Sequence, residues 1–364
     1  MNDRVSIDIQ GGVADVRLVR ADKMNALDDA MFEALIRTGE RLKGEKGLRA
    51  VVLSGEGRAF CAGLDTSSFA AMASGGWSGG RSGSAGALAT PRRTPGGSNR
   101  AQHAVMVWRE IPVPVIAAVH GVAYGGGYQL QLSADLRFVA RDARLSVFEI
   151  RWGLIPDMAG MALLRGLVRD DVARDLTYSG RIFSGEEALA MGLATRVCDD
   201  PRAEALEYAR DVAAKNPHAV RAAKRLLNLM QDGDQQEILL EESREQGALI
   251  GSPNQVEAVM ANMQKRAADF AEAEAETPPP LPFGAYPHDA TPIAERRISI
   301  NGKDSAFGDA LAWAGLATFP NLPSTVVPVG ESGGLPCGMQ VIGAAWRDLD
   351  CIATAGAIGA LMDR

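Results

Sequence analysis

The chain has 364 residues, a formal charge of −7 and an apolar fraction of 46%. That length suits two domains or one large one with a full core. The acidic balance argues against nucleic acid or an anionic membrane as the main partner, and no apolar run is long enough to span a bilayer.

The chain opens on MNDRVSIDIQGG, which lacks the basic start and apolar stretch of a signal peptide. Cys61, Cys198, Cys337 and Cys351 lie far apart, with neither metal-ligand spacing nor a disulfide framework. A reduced cytoplasm is the expected compartment, and no metal site is expected.

In chain order, VSIDIQGGVADVRLVR alternates apolar and polar residues about Gly-Gly and predicts a β-hairpin. DDAMFEALIRTGERLKGEKG has helical spacing and ends in Gly, and LRAVVLSGEG reads as a buried strand. Residues 70–100 are rich in Gly, Ser and Pro and predict a long loop. A helix follows at AQHAVMVWREI, then a strand at VPVIAAVHGVAY, three glycines, and a helix at YQLQLSAD. LRFVARDARLSV predicts two short strands, and residues 153–270 are mostly helical. The alternation points to an α/β core. EAEAETPPPLP at 272–282 is a linker signal, and a boundary near Thr277 divides 1–276 from 277–364.

An apolar strand, three glycines at 125–127 and a helix start leave unpaired N–H groups at the helix N-terminus. The segment RAFCAGLDTSSF at 58–69 ends a strand in small residues in the same way. Two converging N–H groups make an oxyanion hole. By spacing alone such a triplet is more often a tight packing contact. It is not a dinucleotide fingerprint, because Leu130 stands where the last Gly should fall. It is not a P-loop either, because no Gly-Lys-Ser/Thr follows.

RADKMNAL at 20–27, GRAFCAGLD at 57–65, IPVPVIAAVHGVAYGGG at 111–127 and GRIFSGEEALAMGLATRV at 180–197 resemble the crotonase superfamily, the enoyl-CoA hydratase/isomerase family. The resemblance spans residues 5–270. It implies a spiral of ββα turns with C-terminal helices, a homotrimer or hexamer, and an acyl-CoA thioester as ligand. It implies no cofactor beyond the coenzyme A of the substrate. Carried over residue by residue, it puts the oxyanion hole on the N–H groups of Leu64 and Gly126. It puts CoA contacts on Met24, Ala26, Leu27, Ala62 and Asp65, and a phosphate contact on Lys23.

The family's hydratases use two glutamates. One of those positions is Gln129 here, and the other is Glu149 in SVFEIRWGLIPDMAG. An amide hydrogen-bonds water but takes no proton from it. Shifting a double bond needs one base that removes a proton and returns it elsewhere. Asp157 matches an acid of the family's dienoyl-CoA isomerases. Glu149 and Asp157 therefore lean towards isomerisation, with hydration as the alternative, and a non-catalytic acyl-CoA-binding or assembly module as a reading of another class. Asp157 also reads as a helix cap. Cys61 reads as a small buried residue, His120 as a hydrogen-bonded strand residue, and Arg92, Arg93 and Arg100 as solvated loop charge.

Residues 283–364 resemble the C-terminal end of the amidase signature family, in ISINGKDSAFGDALAWAG, FPNLPSTVVPVG and GLPCGMQVIGAAWRDLD. Two strands joined by GESGG predict a hairpin, and the G-x-S-x-G match is rejected because no helix or later histidine follows. The tail lacks that family's catalytic Ser-Ser-Lys machinery, so no amidase activity is expected. The expected class is α/β throughout: a crotonase-like core plus a small amidase-like α/β fragment.

Overall fold

The Gly11–Gly12 turn closes an antiparallel hairpin of β1 (Val5–Gln10) and β2 (Val13–Leu18). The fold is described from a computed structural model, which covers residues 4–68, 74, 94–231 and 233–273, and the backbone of four strands in the tail. The chain divides into two units, Met1–Thr277 and Pro278–Arg364. Most of the loop expected over 70–100, including Arg92 and Arg93, and the Pro-rich linker lie outside the described residues.

In the first unit, β2 pairs in parallel with β3 (Ala50–Gly55), which pairs with β4 (Val115–Val119). Next come β6 (Leu136–Ala140) and β8 (Arg196–Cys198), again parallel. Every residue of β3 and β4 is buried, as in a parallel sheet covered on both faces. Side chains alternate by two. Val51, Leu53, Val115, Ala117 and Val119 enter the main core. Ala50, Val52, Ile116 and Ala118 face Phe138 and the small residues Ala205 and Ala209 of a later helix.

Each turn of the chain then adds a short segment to a second layer. Cys61 bridges Ala123, β5 (Val122–Tyr124) pairs with β7 (Arg144–Ser146), and Leu145 bridges Phe183. The single strand expected over VPVIAAVHGVAY is thus two, broken at His120–Gly121 where the chain passes from one layer to the other. This repeated passage is the expected ββα spiral.

Helices cover the layers. The Asp28 side chain caps α1 (Asp29–Lys43) by accepting the Met31 N–H at 2.8 Å. The Asn99–Gln102 capping box starts α2 (Arg100–Arg109). The later chain gives α3 (Gly126–Leu132), α4 (Gly160–Leu164), α5 (Asp170–Ser179), α6 (Gly185–Ala190), α7 (Pro201–Ala213), α8 (Pro217–Leu229), α9 (Gln235–Leu249) and α10 (Pro253–Gln264). The strand β8 amid these helices was not expected; three residues are too few for a periodic signal. Among the described residues no helix is long and apolar enough to cross a membrane.

The tail unit contains two antiparallel hairpins. β9 (Arg297–Ile300) pairs with β10 (Lys303–Ala306), and β11 (Ser324–Ser332) with β12 (Leu335–Ile342). The second is the hairpin expected around GESGG.

Gly39 of α1 lets α2 approach closely: a Cβ there would lie 2.6 Å from both Cγ atoms of Val107. Val107 is buried and β-branched, so it has little freedom to yield. Gly39→Ala should therefore lower stability by about 1–3 kcal/mol, read by urea unfolding, and should leave activity of the folded protein near wild type.

Candidate active site

Three backbone segments meet between the layers. Leu27 and Leu64 form a parallel bridge: the Leu27 N–H donates to Gly63 O at 2.8 Å, and the Asp65 N–H donates to Leu27 O at 3.1 Å. That register leaves the N–H of Leu64 pointing away from Leu27. Gly63 has φ +89°, and a Cβ there would lie 2.6 Å from Tyr124 O and 3.6 Å from Gly126 N. Segment 63–64 therefore lies against the start of α3. The first α3 hydrogen bond runs from Gln129 N–H to Gly125 O, at 2.9 Å, so the Gly126 N–H has no place in the helix ladder. Neither N–H finds an acceptor among the described residues.

The glycines are fitted to this crossing. Gly125 turns the chain at φ +51° and ψ −120°, a conformation closed to other residues. A Cβ on Gly127 would lie 2.2 Å from Cys61 O. One on Gly126 would meet Leu27 Cδ1 at 2.7 Å and Met158 Sδ at 2.8 Å.

Glu149 begins a 3₁₀ turn, Glu149–Trp152, directly after β7. Its carboxylate lies against Gly125, where a Cβ would be 3.3 Å from Oε1. The Gln129 amide donates to Oε1 at 2.7 Å. Oε2 is buried and has no hydrogen-bond partner among the described residues. Burial pushes the carboxyl above its ordinary value and the negative charge of Asp157 adds to this, opposed by the backbone N–H of Glu149 itself, the Gln129 amide and the Phe148 N–H. Asp157 sits on an exposed stretch beyond the turn, with its carboxyl raised by desolvation. It does not cap α4, whose N-cap is Ala159. Tyr124 and Phe148 stack beside Glu149, with ring centroids 4.7 Å apart.

Met24, Ala26, Leu27, Ala62 and Asp65 gather in one ladder, extended by the Ala62 N–H to Met24 O bond at 2.9 Å. Leu27, Ala26 and Asp65 are buried, whereas Met24 and Ala62 are partly exposed and Lys23 fully so. Asp65 is committed inward. Ser67 donates to it through N–H and hydroxyl at 2.9 and 2.7 Å, and Arg20 pairs with it at 2.6 Å. These contacts, the Ser67 N–H foremost, hold its carboxyl down to about 2. The pairing of Arg20 with Asp65, 45 positions apart, left no mark in the sequence. The Cys61 thiol donates to Asn25 O, and burial pushes it up to about 12, far from a nucleophile. His120 hydrogen-bonds Gly57 O at 2.9 Å, and Arg100 pairs with Asp29.

Elsewhere Glu40, His103 and Glu110 offer ligand atoms within 4.8 Å of one another. The Lys43 ammonium already lies on both carboxylates, at 3.0 and 2.7 Å, and serves as their cation.

The profile of the enoyl-CoA hydratase/isomerase family matches residues 13–278. The chain belongs to that family. Its relatives in the enoyl-CoA hydratase/isomerase family carry both names. It is 30% identical over 274 residues to the mitochondrial Delta(3,5)-Delta(2,4)-dienoyl-CoA isomerase of Mus musculus, covering 71% of this chain and 78% of that protein. It is 28% identical over 262 residues to the mitochondrial methylglutaconyl-CoA hydratase of the same organism, covering 70% and 78%. The enoyl-CoA hydratase structure from Bacillus anthracis superposes with a TM-score of 0.64 at 28% identity, over 73% of this chain and 98% of that one. The family match ends at residue 278, so the tail's resemblance to an amidase rests on its sequence alone.

The Asp65 carboxyl is about 2 in the folded chain against 3.8 unperturbed. Its stabilising effect is fully present above about pH 4 and is lost as pH falls through about 2. Asp65→Asn should flatten the fall in melting temperature between pH 4 and pH 2, measured by circular dichroism.

Proposed function

We propose that this protein shifts the double bond of an unsaturated acyl-CoA thioester, with Glu149 as the proton-shuttling base. The thioester carbonyl accepts the N–H groups of Leu64 and Gly126. Glu149 takes a proton from C2, the C–H electron pair moves into the thioester, and the N–H pair stabilises the resulting dienolate oxygen. The same carboxyl returns the proton at C4, so the substrate leaves as its isomer and the base is restored. Met24 and Ala62, at the open edge of the ladder, border the CoA moiety. Leu27, Ala26 and Asp65 shape that edge from beneath, and Gln129 holds the base. Asp157, at the mouth, raises the proton affinity of Glu149 by its charge. The substrate supplies the only coenzyme.

One observation carries this reading. The oxygen of the Gln129 amide is filled by two backbone N–H groups, from Met158 and Gly160, at 2.8 and 2.9 Å. That oxygen has no acceptor left for a water molecule, and one N–H of the amide nitrogen is given to Glu149. Hydration needs water activated and a proton delivered to carbon, work for which two acids are suited. Here Glu149 stands alone between the layers. Hydration by Glu149 with a water held at the mouth by Asp157 is the second reading, and the hydratases among the relatives favour it. We further propose a homo-oligomer in the cytoplasm, covering apolar side chains such as Ile155, Met161, Tyr178 and Met263, all more than half exposed in the single chain.

Purified protein given a trans-3-enoyl-CoA should raise the ultraviolet absorbance of the conjugated 2-enoyl thioester. Given a trans-2-enoyl-CoA, it should change that absorbance little; a fast fall would establish hydration instead. Glu149→Gln should lower turnover by about a thousandfold and leave thioester binding, read by calorimetry, within about threefold. Unchanged turnover would remove Glu149 from the chemistry.

A further inference from the structure

The hydrogen bonds around Gln129 admit one orientation of its amide. The N–H groups of Met158 and Gly160 both point at one atom, at 2.8 and 2.9 Å. A turned amide would set its NH₂ against two donors. Gln129 is 1% exposed, so water does not relieve such a clash. The atom facing the two N–H groups is the oxygen, and Nε2 donates to Oε1 of Glu149 at 2.7 Å.

The segment that supplies the two donors is shaped for it. Ala159 takes φ +70°, a left-handed conformation costly for a residue with a side chain, and this turns both flanking N–H groups to one side. Gly160 is required by proximity, since a Cβ there would lie 2.7 Å from the amide oxygen. The lock therefore spans three elements: α3, the 3₁₀ turn of Glu149, and the start of α4.

We infer that Gln129 is a positioning residue for the base: its locked amide holds Oε1 of Glu149 and leaves Oε2 as the oxygen that takes and returns the substrate proton. This rests on the reading of Glu149 as the base. The Oε2 lone pair binds the proton from C2, and the C2–H electrons pass to the thioester oxygen. The O–H bond on Oε2 then breaks as the proton joins C4. A buried acceptor with no partner is costly, and a bound substrate would supply what Oε2 lacks.

The titratable and charged groups around the carboxylate bound the test. Asp157 acts on it from the segment before α4, and Tyr128 from α3, with Arg137 of β6 behind Tyr128. Arg151, on the same turn as Glu149, directs its Nε to Gly180 O at 3.0 Å.

Gln129→Glu separates positioning from mere support. One carboxylate oxygen keeps both backbone N–H groups. The other faces Oε1 of Glu149, and two carboxylates so close share a proton. The readout is the ¹³C NMR titration of the Glu149 carboxyl in glutamate-labelled protein, with Glu149→Gln identifying the signal. The midpoint should rise by about one pH unit or more in Gln129→Glu. In wild type, the Gln129 side-chain amide proton should titrate with the midpoint of Glu149. An unmoved midpoint in folded Gln129→Glu overturns the inference. So does a pH-independent Gln129 amide signal, which needs no variant to fold. Neither readout needs turnover. A Glu149→Gln protein that still turns over would defeat the assignment of the base and leave the lock standing.

Discussion

The site depends on the close crossing of two stretches of backbone, residues 61–64 and 124–127. Nothing larger than hydrogen fits on Gly63 or Gly127 where they meet Tyr124 O and Cys61 O. On these two stretches the bridge register and the helix start each leave one N–H, of Leu64 and of Gly126, unpaired among the described residues. Gly125 then turns the chain so that Glu149 packs against it. A cost normally set against glycine, its conformational freedom when unfolded, is accepted here because no other residue permits the approach.

A second consequence concerns charge. Glu149 is half-buried, and the burial of its carboxyl holds it above its ordinary value. Its neighbour at 2.7 Å is an amide rather than an acid. An acid there would compete for one proton; an amide donates and keeps the carboxylate single. On the proposed reading of Glu149 as the base, this arrangement suits a proton taken and returned by the same group.

Much of this was legible in the sequence. Alternation about Gly11–Gly12, the continuous apolar runs of β3 and β4, and the Gly-rich crossing were visible because period and glycine placement are local signals. So was the amide at Gln129. What the amide does was not legible. Its partners are backbone N–H groups 29 and 31 positions away, presented by a left-handed alanine that has no sequence signature. The commitment of Asp65 to Arg20 was hidden for the same reason, as was the break of one apolar run into β4 and β5. Asp157 read equally as a cap or an acid, and the placement of the α4 cap at Ala159 removes the cap reading.

The central claim is that one carboxyl carries the proton between two carbons. It is tested most directly with a trans-3-enoyl-CoA deuterated at C2, turned over in ordinary water and analysed by mass spectrometry and ²H NMR before extensive conversion. A single buried base predicts that a measurable share of the deuterium taken from C2 reappears at C4 of the 2-enoyl product. Product whose C4 hydrogen comes wholly from solvent in the first turnovers would contradict it.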